Sequence, residues 1–159
     1  MNILICPHPD DEVLACFSKL QNSRVIFLFG DERRQIEATY LIKKFNSEVV
    51  FCNDLDDIFL QFIPDNDIYI PSPSDINVEH KWISNYFYNT LKLIRLKPKV
   101  YFYSYQRLLP RRQVNSIKVN IDLNAKIETL REIYPSQFPI LKDCGIIDQL
   151  QPYEEFELI

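Results

Sequence analysis

A chain of 159 residues, 47% apolar and 25% charged, is long enough for one ordinary hydrophobic core and short for two, so residues 1–159 read as a single domain. No apolar run approaches the roughly 20 residues of a membrane-spanning helix and no cationic leader precedes a cleavage site, so a soluble, cytoplasmic protein is expected. A net charge of −4 and a pI of about 5.2 argue against bulk binding to nucleic-acid backbones, where basic domains are the rule.

Asn2 to Cys6 is an apolar run of strand length. It leads into Cys6-Pro7-His8-Pro9-Asp10-Asp11-Glu12, after which Val13, Cys16, Phe17 and Leu20 recur with the spacing of one helix face. Val25 to Phe29 predicts a second strand, Ala38, Leu41, Ile42 and Phe45 a second helix, and Val49 to Cys52 a third strand. Ile68-Tyr69-Ile70 follows, then the loop Pro71-Ser72-Pro73-Ser74-Asp75, with His80 at the start of a helix running to about Leu96 with Ile83, Phe87, Leu91 and Ile94 on one side. Val100 to Tyr103 predicts another strand. No period dominates from Ser104 to Asn120, a last helix runs through Leu123, Ile127, Leu130 and Tyr134, and Tyr153 to Leu158 reads as a terminal edge strand.

Alternating strands and helices predict an α/β, Rossmann-like fold, a mostly parallel sheet covered on both faces. In such sheets ligands bind beyond the carboxyl ends of the strands. The His8 loop follows the first strand and the His80 loop the fourth, so the chain's only two histidines are expected to meet there.

The four cysteines, Cys6, Cys16, Cys52 and Cys144, lack C-x-x-C spacing, which points to buried reduced thiols rather than a thiolate zinc site. Both histidines instead sit beside carboxylates. Pro9 restricts His8 to extended backbone, so His8, Asp10 and Asp11 can converge from one tight loop. His8, Asp11 and His80 are assigned as ligands of a divalent metal, with zinc the expected ion and iron(II) able to use the same donors. Asp10, adjacent but outside the ligand set, is then the general base. The competing reading is that Asp10, Asp11 and Glu12 only cap a helix and complement its dipole. It leaves unexplained a proline-constrained histidine before them and a second histidine in another acidic loop.

His8-Pro9-Asp10-Asp11-Glu12 resembles the signature of the PIG-L/LmbE-like zinc-dependent deacetylases, which remove acetyl groups from N-acetylglucosamine-containing conjugates. Asp75-Ile76-Asn77-Val78-Glu79-His80 is similar to that family's D-x-H-x-D-H segment, with His80 on the ligand position. Gly30 followed by Arg34-Gln35-Ile36-Glu37, and Lys126 followed by Tyr134-Pro135-Ser136-Gln137, extend the likeness over most of the chain. The resemblance implies Arg34 as a contact to sugar hydroxyls or phosphate, Asp56 or Asp57 as a further sugar contact, and position 77 as the donor to the oxyanion or leaving amine. Here that position is Asn77, which can donate a hydrogen bond but cannot act as an acid, and Glu79 stands where the family has the aspartate supporting the histidine. Either Asp10 also carries the proton to the amine, or turnover is slow.

Three functions are therefore carried forward. The first is hydrolysis of an N-acetyl group on an amino-sugar conjugate, with a nucleic-acid-linked sugar among the carriers. The second is a weak or inactive sugar-conjugate or nucleotide-binding module with a vestigial metal site. The third is an amidase on another N-acyl amine such as a modified base. Arg107, Arg111, Arg112 and Lys118 offer a basic patch for a phosphate, against a plain reading as a solvated loop. The aromatics Tyr86-Phe87-Tyr88 and Tyr101-Phe102-Tyr103 could stack on sugars or bases, but are expected to pack in the core.

Overall fold

A computed structural model describes residues 1–54, 57, 66–93, 98–104 and 116–159. The elements in chain order are β1 (Asn2–Cys6), α1 (Asp11–Cys16) with a 3-10 turn at Phe17–Lys19, β2 (Arg24–Phe27), α2 (Glu32–Ala38), α3 (Tyr40–Phe45), β3 (Glu48–Phe51) and β4 (Asp67–Pro71). There follow α4 (Val78–Leu93), β5 (Lys99–Tyr103), β6 (Ser116–Asn120), α5 (Leu123–Ile133), α6 (Phe138–Asp143), α7 (Ile146–Gln149) and β7 (Tyr153–Leu158).

The strands form one seven-stranded sheet in the order β3-β2-β1-β4-β5-β7-β6. The pairings from β3 through β5 are parallel, and β7 runs antiparallel to both of its neighbours. The α/β class and the mostly parallel sheet thus follow the strand–helix alternation of the sequence.

Side-chain alternation along the strands divides the core in two. Leu4, Cys6, Val25, Phe27, Tyr69, Tyr101 and Tyr103 pack with Val13 and Leu14 of α1, Leu41 of α3, and Leu130 and Ile133 of α5. Ile3, Ile5, Ile26, Ile68, Ile70, Val100 and Phe102 pack on the other face with Ile83 and Phe87 of α4. Near-continuous apolar strands of this kind are what a sheet buried on both faces requires. The aromatic run Tyr101-Phe102-Tyr103 is core, and Tyr103 also donates its hydroxyl to the Ile5 carbonyl at 2.8 Å.

The strand order positions the site. From β1 the chain builds outward through β2 to β3, then returns to lay β4 against the other side of β1. The loops leaving β1 and β4 consequently open side by side where the order reverses, the place where open α/β sheets hold their ligands.

Several expectations are corrected. The single helix predicted over Ala38–Phe45 is two, broken at Thr39, whose Oγ1 donates to the Ile36 carbonyl at 2.6 Å. Ile42, expected on the inner face, is 49% exposed. β6 falls where no element was predicted, and α6 and α7 follow the helix expected to be last. β7 has its expected bounds but is no edge, since it lies between β5 and β6. Its Glu154 accepts from the Phe17 and Ser18 amides at 2.7 and 2.9 Å and from Lys126 Nζ at 2.8 Å, so an acidic side chain faces inward and pins the end of α1 to α5. Breaking a buried pair by removing one partner leaves an uncompensated charge. Lys126→Met is expected to destabilise the fold by about 3–5 kcal/mol, read as a lower urea midpoint; a loss within about 0.5 kcal/mol, as for surface substitutions, would show that the two amides alone satisfy Glu154.

Candidate metal centre

His8, Asp11 and His80 come together as the sequence predicts, each offering a ligand atom within 4.8 Å of the others. His8 Nδ1 lies 3.4 Å and His80 Nε2 3.3 Å from the same oxygen, Asp11 Oδ2. Donors about 2.0–2.1 Å from a tetrahedral zinc stand about 3.3 Å apart along each tetrahedral edge. The two distances match that spacing, and two imidazoles with one carboxylate form a donor set that leaves positions for water and substrate. The cluster can therefore hold a metal ion.

The outer nitrogen of each imidazole is held by its own carboxylate. Glu79 Oε2 lies 2.7 Å from His8 Nε2, and Asp75 Oδ2 lies 3.1 Å from His80 Nδ1. Such partners fix which ring nitrogen carries the proton and turn the other toward the metal. Asp75 is itself set by local chemistry: its amide bonds to the Ser72 carbonyl and its Oδ1 accepts from the Asn77 amide at 2.9 Å. Asn77 in turn caps α4, its Oδ1 accepting from the Glu79 amide at 2.9 Å. The Glu79 side chain therefore reaches back to His8 rather than to position 77, where the resemblance put its partner.

Electrostatics follow from this crowding. Burial disfavours a charged His80, yet Asp11 and Asp75 outweigh it and push its pKa up to about 10. Burial alone would raise Asp11, but His80 and His8 hold its carboxyl well below the usual range. A metal must displace the His80 proton to reach Nε2. Binding is thus expected to release at least one proton per ion at pH 7 and to tighten as pH rises, measurable by calorimetry in buffers of different ionisation enthalpy; uptake with no proton release would contradict this ligand assignment.

Asp10 sits at the N-cap position of α1, but its side chain makes no cap hydrogen bond, so helix capping does not account for it. It is 7% exposed. Burial lifts its pKa well above the usual value, and Asp11 and Glu12 add to this, while Arg34 and His80 draw it down. Arg34, in the first turn of α2, is close enough for its charge to act on Asp10. Gly30, with φ +145°, packs against Pro9, where an added Cβ would meet the proline ring at 2.9 Å, so the His8–Asp10 loop is seated on the turn that opens α2.

Asp57 is exposed, and its identified neighbour is the Cys52 thiol, which burial and then the Asp57 charge push up. Asp56, Arg107, Arg111 and Arg112 lie outside the described residues. Lys118, on β6, pairs with Glu155 at 4.0 Å and lies over the Tyr153 ring. All four cysteines are free; Cys6, Cys16 and Cys52 are buried and Cys144 is exposed. Among the described residues no helix is long and apolar enough to cross a membrane.

Sequence reasoning missed the roles of Asp75 and Glu79 as imidazole partners, although their place beside His80 carried the signal. It also missed Glu12 and Tyr134, fully buried and hydrogen-bonded to each other at 2.6 Å. The chain matches no protein-family model, no curated protein and no solved structure.

Proposed function

We propose that this chain is a metal-dependent amide hydrolase of the PIG-L/LmbE-like kind, removing acetyl from an N-acetylglucosamine-type conjugate to give acetate and the free amine. The observation that carries this reading is a buried carboxylate, Asp10, left unused by its helix and lying next to a His-Asp-His cluster at the reversal point of the sheet. The order β3-β2-β1-β4-β5 further supports a Rossmann-like reading of the fold.

His8, Asp11 and His80 would hold the ion, zinc in this reading and iron(II) by the same donor chemistry. Bound there, the ion supplies Lewis acidity, lowering the pKa of water to about 7 and polarising the acetyl carbonyl. Asp10 takes the proton from the attacking water. Burial, with the charges of Asp11 and Glu12, raises its proton affinity, a direction that suits a group that accepts a proton and then passes it to the leaving amine. Asn77 has committed its Oδ1 to the helix, which leaves its Nδ2 group as the donor it can offer to the developing oxyanion. Losing such a donor costs about 10²–10³ in rate, so its part is supportive. Arg34 beside Asp10 is suited to a hydroxyl or phosphate of the conjugate.

The capping role of Asn77 favours a second reading, a slow or inactive sugar-conjugate or nucleotide binder, because no acid stands at that position. An amidase acting on another N-acyl amine uses the same geometry. The test is acetate release by the zinc-loaded protein from free, nucleotide-linked and lipid-linked N-acetylglucosamine. Release from one of these is expected; saturable binding without release would favour the binding module.

A further inference from the structure

Asp10 has φ +123° and ψ −29°, a backbone conformation that is strained for a non-glycine residue and persists only where surrounding contacts enforce it. The enforcing contacts run through Glu12. Its Oε2 accepts from the Asp10 amide at 3.0 Å, and its Oε1 accepts from the Tyr134 hydroxyl at 2.6 Å. Both residues are fully buried. A carboxylate is a costly core residue, and this one divides its two oxygens between the single strained amide of the loop and a tyrosine 122 positions away.

Tyr134 ends α5, and the turn it begins grips a second element. The Ser136 amide and hydroxyl donate to Glu37 at 3.2 and 2.6 Å, and Glu37 belongs to α2, the helix carrying Arg34. One turn thus braces both the loop that presents Asp10 and the helix whose arginine acts on it. This gives Glu37 and the Tyr134-Pro135-Ser136 segment, which the reaction does not otherwise use, a shared task.

We propose that Glu12 and Tyr134 are positioning residues for Asp10, a buried hydroxyl–carboxylate–amide chain holding the loop in the strained conformation that keeps the Asp10 carboxylate off its own helix. The inference rests on the reading of Asp10 as the base.

The test compares Glu12→Ala, Glu12→Gln, Tyr134→Phe and Asp10→Asn in the zinc-loaded full chain, with kcat, KM, zinc affinity and hydrogen exchange of the Asp10 amide as readouts. Glu12→Ala is expected to lower kcat about 10²-fold, as a small misplacement of a reacting group does, with KM and zinc affinity little changed and the Asp10 amide losing protection. Tyr134→Phe, which removes one oxygen and stands in should Glu12→Ala fail to fold, is expected to move kcat and amide protection in the same direction by about 10-fold, the scale of one intramolecular hydrogen bond. Glu12→Gln keeps an acceptor for the amide and is expected to restore both. Wild-type kcat and amide protection in Glu12→Ala and Tyr134→Phe, beside an inactive Asp10→Asn, would overturn the positioning role and leave the base assignment standing. Wild-type kcat in Asp10→Asn would overturn the base assignment and the positioning role with it.

Discussion

Asp10→Asn is expected to bind metal as tightly as the wild type and to lose about 10²–10⁴ of its turnover, the usual contribution of a positioned general base. The substitution is clean for structural reasons. Asp10 lies outside the ligand cluster, it makes no cap hydrogen bond whose loss would fray α1, and asparagine is among the residues that best tolerate positive φ. It also removes a carboxylate that burial, Asp11 and Glu12 all disfavour in its charged form, so stability is expected to hold or rise. What disappears is the ability to accept a proton. Steady-state kinetics beside a zinc titration separates the two effects; a variant with full metal occupancy and near wild-type kcat would move the base elsewhere.

His80→Ala carries the second large effect, and it acts twice. It removes one of three protein ligands and so is expected to abolish stable metal binding. It also strips Asp11 and Asp75 of the imidazole between them, 3.3 and 3.1 Å away, in a site where His80 is 1% exposed. Removing one member of a buried charged set costs about 3–5 kcal/mol, so the metal-free variant is expected to be less stable than the metal-free wild type by that order at neutral pH. The sign with pH follows from the raised pKa of His80, about 10 against an ordinary 6.5. The folded protein holds a proton that the unfolded chain gives up. That stabilisation is complete below about pH 6.5 and fades as pH rises toward 10. Urea unfolding of both metal-free proteins across this range is expected to show the gap narrowing upward; a gap independent of pH would mean that His80 is neutral in the fold.

The fold was legible where burial dictated composition. β1, β2, β4 and β5 are apolar because both of their faces are covered, and α4 shows its Ile83 and Phe87 spacing because one face meets the sheet. Legibility failed where polar groups do structural work. Glu154 turns inward to Lys126 and two amides, so Tyr153–Leu158 has the alternation of an edge strand while lying inside the sheet. β6 is short and mostly exposed, and the alternation of Ile117 and Val119 with Ser116, Lys118 and Asn120 spans only five residues, too brief to stand out in the segment around it. The helix break at Thr39 depends on a side-chain bond to a carbonyl that spacing alone does not reveal.

In the site, residue type and spacing near strand ends were enough to bring out His8, Asp11 and His80, because the topology brings the loops after β1 and β4 together. Partnerships were not readable in this way. Nothing in one dimension shows that Glu79 turns back to His8, that Asn77 spends its carbonyl on a helix cap, or that Glu12 joins Asp10 to Tyr134. Those choices depend on side-chain direction and on residues brought in from across the fold.

Two histidines and an aspartate are expected to hold the metal ion, and X-ray absorption at the zinc edge of the zinc-loaded wild type tests that most directly. The predicted result is an all nitrogen and oxygen shell at about 2.0–2.1 Å and the outer-shell scattering of two imidazoles. A shell containing sulfur, or one lacking imidazole scattering, would contradict it.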